Sequence, residues 1–143
     1  MDETAFRQKL SRMIERPCTF EKAILTGRVK CSNSKRIQIA ERDAVTCLTQ
    51  SSLYRCTTLH DHLRESFSFA LKVNLADGLV LSHSQELRVQ CGGLIGLQQV
   101  LNGLTDVDSV DGLLETAILK WGDWADIPYS EVIQAAIFIY KGR

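Results

Sequence analysis

Apolar residues recur every three or four positions through most of this chain, the spacing of helices that each bury one face. Phe6, Leu10, Met13 and Ile14 predict an amphipathic helix from about Glu3 to Glu15, and Pro17 stops it. Thr19 can cap a short second helix over Phe20 to Thr26, with Gly27 as its C-terminal stop. Arg28 to Arg36 has no apolar period and reads as a loop. Ile37, Ile39, Ala40, Ala44, Val45 and Leu48 suit a further helix, though less cleanly. The strongest stripe is Leu53, Cys56, Leu59, His60, Leu63, Phe67 and Leu71, entered through a Ser51 or Ser52 cap.

The second half continues in the same manner. Ala76-Asp77-Gly78 marks a turn-rich stretch, with Leu79-Val80-Leu81 as either a short strand or a buried connection. Leu87 to Leu101 is broken by Gly92-Gly93 and Gly96 and then resumes a helical pattern. Ser109 can cap a helix carrying Leu113, Leu114, Ile118, Leu119 and Trp121. A last helix starts at Asp126 or Ser130, tolerates Pro128 in its first turn and carries Val132, Ile133, Ala136, Ile137 and Ile139. The expected fold is mostly α: a compact single-domain bundle of about six helices, with one short strand pair as an option, over residues 1–143.

Composition leaves that reading intact and narrows the setting. At 143 residues the chain fits one domain, long enough to build a core without covalent staples. No apolar run reaches the roughly 20 residues of a membrane span. The acidic start Met1-Asp2-Glu3-Thr4 lacks the pattern of a secretory signal, which implies a cytoplasmic setting. Net charge is zero but unevenly spread. Residues 1–40 hold nine Lys/Arg against four Asp/Glu, and residues 101–143 hold three against seven. The only aromatics before residue 50 are Phe6 and Phe20, so the basic excess lacks the interleaved aromatics of a nucleic-acid binder.

Five cysteines change the picture more. A reducing compartment disfavours disulfides, so clustered cysteines there point to metal binding or catalysis. Cys18, Cys31, Cys47 and Cys56 follow Cys-x12-Cys-x15-Cys-x8-Cys and fall in loops or at helix edges. Structural zinc sites usually take close cysteine pairs, and this frame has none. A four-iron cluster also takes four thiolates and, being wider than one ion, accepts ligands from separated segments. Arg16, Arg28, Lys30, Lys35, Arg36 and Arg55 lie within a few residues of these cysteines and would offset the negative charge of such a cluster. The expectation is an iron–sulfur (4Fe–4S) protein with an electron-transfer, redox-sensing or cluster-handling role and an unknown redox or protein partner. The alternatives are a structural-zinc interaction module and a metal-free helical adaptor with buried thiols.

The segment from Cys47 to Cys56, the run Leu59 to Leu71, Val89-Gln-Cys-Gly-Gly-Leu94 and Ile127-Pro-Tyr-Ser-Glu-Val-Ile133 resemble an uncharacterised group of small proteobacterial proteins. The resemblance implies a recurring four-cysteine frame and a bacterial setting; it names no activity and no metal.

Other candidates carry less. Cys91 opens Cys-Gly-Gly ahead of a helix, where a thiol can be activated, but such glycines more often mark close backbone packing. His60 lies four residues after Cys56 on the same face, which leaves a Cys3His zinc site open, while His62 points elsewhere and His83 has no evident partner. Asp106-Val-Asp-Ser-Val-Asp-Gly112 fails the calcium-loop pattern, with Val110, Asp111 and Ala117 where ligands and glycine are needed. Trp121, Trp124 and Tyr129 suit a core better than a partner surface. No Ser-His-Asp order, Walker loop or carboxylate pair selects a reaction.

Overall fold

The computed structural model describes residues 2–71 and 81–140. Its elements run α1 (Glu3–Met13), α2 (Glu21–Leu25), β1 (Ser34–Ile39), β2 (Arg42–Cys47), α3 (Gln50–Leu71), α4 (His83–Leu87), α5 (Gly93–Asn102), α6 (Val110–Trp121) and α7 (Tyr129–Ile139). A π-helical turn, Arg88–Gly92, joins α4 to α5 without a break, and a 3-10 turn, Trp124–Asp126, precedes α7. The described residues thus form six separate helical bodies and one two-stranded antiparallel sheet in one compact domain. The expected Leu79-Val80-Leu81 element lies mostly outside the described residues, although Leu81 itself is buried.

The principal core lies between α3, the π turn, α5, α6 and α7. Leu59 and Leu63 of α3 are fully buried there with Val89, Leu94, Leu97, Leu114 and Val132. Tight packing explains Gly93 and Gly96 of the Gly92-Gly93-Leu-Ile-Gly96 run. A Cβ on Gly96 would collide with the Val132 carbonyl oxygen of α7, and one on Gly93 would meet Leu63 at 2.7 Å. The interruption in the helical pattern is therefore a packing surface, bent through a π turn that absorbs one extra residue.

The helix expected over residues 37–48 is instead a β-hairpin. Ile37 faces Ala44 across the ladder and Ser34 faces Cys47. Ile37, Ile39, Val45 and Thr46 are β-branched and favour this extended pairing, a local preference that the loose three-to-four spacing concealed. Ala40, with φ of 57°, makes the reversal. Two further differences follow from the hairpin. The loop expected up to Arg36 ends at Ser34, where β1 begins, and the stretch around Pro17 lies against β2. There the Cys18 N–H donates to the Val45 carbonyl at 2.9 Å and the Cys47 N–H to the Arg16 carbonyl at 2.8 Å.

Helix α1 packs on the hairpin through a small second core of Phe6, Ile14, Ile39 and Ala44. Asp2 caps α1 by accepting from the Ala5 N–H at 2.7 Å, and Arg42 lies over the Phe6 ring while bonding Glu3. Thr19 does not cap α2; its hydroxyl meets that of Thr57 on α3, 3.0 Å away. Ser109 does cap α6, and the same hydroxyl accepts from the Ser32 N–H at 3.1 Å. With Lys30 N–H to Val107 C=O and Val110 N–H to Lys30 C=O, this clips the segment holding Cys31 onto the start of α6.

Candidate metal centre

The backbone bonds just described set three cysteines around one point. Cys18 and Cys47 are held side by side by the Pro17–Thr46 pairing, and Cys31 precedes β1, whose first residue pairs with Cys47. Helix α3 begins three residues after Cys47 and brings Cys56 back on its second turn. All four cysteines line one pocket, together with Phe20, Asn33, Ser52, Leu53, Val110 and Asp111 among others. All four are free thiols, Cys47 and Cys56 buried, Cys18 and Cys31 half-buried. The cavity measures about 10 Å³, room for about one water molecule.

Electrostatics binds the four sulfurs into one group. Burial pushes the Cys18 thiol up to about 12; the Phe20 N–H opposes this, while Cys31, Cys47 and Glu21 add to it. Cys56 is pushed up as well, by burial first and then by Cys18, Cys31, Cys47 and Asp111. These are thiols close enough that ionising one disfavours ionising the next. Among the described residues no three His, Cys, Asp or Glu side chains stand arranged to hold a single metal ion. The donor chemistry of the pocket, four sulfurs, is the kind that clusters and zinc take.

Two helix N-termini meet at the pocket. Ser52 and Leu53 come from the first turn of α3, and Val110 and Asp111 open α6. Both helices begin in the pocket wall, where the unpaired N–H groups of a first turn carry partial positive charge. Asp111 would cancel part of that field, but Arg55 donates to its carboxylate at 2.8 Å and to the Ser52 hydroxyl at 3.2 Å. Neither Asp111 nor Ser52 carried any sign of this role in the sequence, because their proximity to the cysteines depends on tertiary packing. Asn33, whose amide reaches Cys47 Sγ at 3.9 Å, was equally hidden within a polar loop.

The basic residues expected to surround the sulfurs are mostly engaged elsewhere. Arg16 bonds the Cys47 and Leu48 carbonyls, Arg36 pairs with Asp43, and Arg28 lies over the Tyr140 ring at 4.6 Å. Lys30 lines a separate cleft with Asp106 and Asp108. Arg16 and Arg36 reach the pocket wall only through the backbone carbonyls of Cys47 and Ile24, whereas Arg55 bonds two of its side chains, Asp111 and Ser52; the Arg55 Nε is buried with no hydrogen-bond partner among the described residues.

The remaining candidates separate from the pocket. His60 Nε2 meets Glu86 at 2.7 Å and its ring edge contacts Phe20, an arrangement that occupies it away from the sulfurs. Burial alone would raise Glu86, but His60 and then Gln90 outweigh it and hold the carboxyl below its usual range. His62 stacks on Tyr129, and His83 lies 3.3 Å from the Lys22 ammonium. Cys91 is wholly buried in the π turn, its thiol raised by burial against the opposing pull of Thr26 and Arg28. Trp121, Trp124 and Tyr129 pack against the principal core. No protein-family model, curated protein or solved structure matches this chain.

Proposed function

We propose that this protein binds an iron–sulfur cluster, most simply 4Fe–4S, on Cys18, Cys31, Cys47 and Cys56, and serves in electron transfer, redox sensing or cluster handling. The observation that carries the reading is the convergence of four unpaired cysteines, from four separate segments, on one pocket. The chain brings them together through a strand pairing, a hairpin and a helix start, each specified far from the next. Two helices that begin in the wall of the same pocket favour an anionic guest, as a four-thiolate cluster is. When bound, such a cluster supplies one-electron chemistry. The chain's part is to provide four thiolates, exclude bulk water with Phe20, Leu53 and Val110, and stabilise negative charge with the helix ends and Arg55. Four protein ligands leave no iron corner open to a substrate, so the reading favours electron handling over Lewis-acid catalysis.

Purification without oxygen, followed by iron, sulfide and zinc analysis and an absorption spectrum, tests the reading. Brown protein with about four irons and four sulfides per chain is expected. Colourless protein with one zinc per chain replaces the cluster by a structural ion. Metal-free protein after reconstitution removes both.

A further inference from the structure

We propose that Asn33 is the positioning residue that holds Cys47 as a thiolate ligand, through an N–H···S bond aimed by Thr49; this rests on the metal-centre reading above. Asn33 Nδ2 lies 2.9 Å from Thr49 Oγ1 and 3.9 Å from Cys47 Sγ. A carboxamide carries two N–H donors, so both contacts are made at once. The backbone fixes this placement: the Asn33 carbonyl accepts from the Leu48 N–H at 3.0 Å, next to the Ser34–Cys47 pair that opens the ladder. Asn33 also lines the pocket itself.

The present bonding of Cys47 shows why a donor is required. Its S–H donates to the Thr49 carbonyl at 3.2 Å, an oxygen that also accepts the Leu53 N–H of α3. A metal ligand must be a thiolate, which has no hydrogen to give. As a ligand the buried sulfur would have the Thr49 carbonyl oxygen, of like partial charge, on one side and the Asn33 amide donor on the other. The Asn33 amide meets that need, and a contact long for a neutral thiol shortens when its acceptor is charged. Asn33, held by Thr49, is the donor that the geometry places beside Cys47 Sγ. Donors to cluster sulfur also stabilise the more negative reduced state.

The test uses full-length protein loaded without oxygen, comparing wild type with Asn33→Ala, Asn33→Asp and Thr49→Val. Protein-film voltammetry and the rate of metal extraction by a chelator are the readouts, with melting of the metal-free proteins as a control. Asn33→Ala should lower the reduction potential and speed extraction about tenfold, the scale of one charge-assisted hydrogen bond. Asn33→Asp, similar in shape but without the donor and with an added negative charge, should exceed it. Thr49→Val should fall between Asn33→Ala and wild type. Unchanged potential and extraction in both Asn33 variants, with loaded wild type, overturn the proposal and leave the metal centre standing. A wild type that holds no metal overturns both. If wild type holds zinc, the extraction arm decides alone.

Discussion

Each cysteine of the centre sits in a different local context, and substitutions should separate those contexts. The Cys31 segment is clipped to α6 by backbone bonds of Lys30 and by the Ser32–Ser109 contacts, so it does not depend on a metal for its place. Cys31→Ser should therefore abolish stoichiometric metal binding while leaving the melting temperature of metal-free protein nearly unchanged, as parallel metal analysis and calorimetry would show. The Arg55–Asp111 pair makes a second prediction. Arg55→Gln leaves a carboxylate uncompensated beside four thiolates, so chelators should strip the metal faster, whereas Asp111→Asn should raise the reduction potential. The thiols also govern alkaline stability. Cys18 is raised from an ordinary value near 9.0 to about 12, so above pH 9 the unfolded chain ionises this thiol while the folded chain resists. Fewer protons on the unfolded state mean stability falls with pH, and denaturation of metal-free protein should ease progressively between pH 9 and 12. Metal affinity should run the other way and rise with pH, because loading must displace those protons.

At the scale of elements, the hairpin and the α5–α7 contact make the sharpest demands on sequence. Ala40 occupies a left-handed conformation that costs an L-residue about 1–2 kcal/mol, so Ala40→Gly should stabilise the protein modestly, measurable by urea unfolding. Gly96 is the opposite case: a side chain there must push apart the backbones of α5 and α7, and Gly96→Ala should cost about 1–3 kcal/mol in the same assay. The long stripe of α3, the Gly27 stop and the Ser109 cap were legible because helical periodicity and capping are local rules. The hairpin was not legible in the same way. Ala40, Ala44 and Leu48 mimic a helical face, and only the β-branched residues around them argue otherwise. The Gly92-Gly93-Gly96 run was legible as a packing surface, but the π turn within it depends on partners that no local pattern contains.

Across the molecule, the cysteine frame could be read from the chain and its surroundings could not. Residue type and spacing singled out Cys18, Cys31, Cys47 and Cys56, and the fold brings all four to one pocket. The pocket's other wall comes from Asn33, Ser52 and the start of α6, whose contact with the cysteines exists only once the two halves of the chain meet. Of the N-terminal cations, Arg16 bonds backbone carbonyls, Arg28 lies over the Tyr140 ring and Lys30 lines a cleft with Asp106 and Asp108.

That division of the pocket has a consequence for biosynthesis. Cys56 is translated 55 residues before Asp111, the last of the pocket residues in the chain. At roughly 5–20 residues per second, all four sulfurs leave the ribosome about 3–11 seconds ahead of the wall that closes over them. Under the proposed function, iron and sulfide would meet a pocket that still lacks its α6 wall during that interval. Completing α6 supplies Val110 and Asp111, the last residues of the pocket wall.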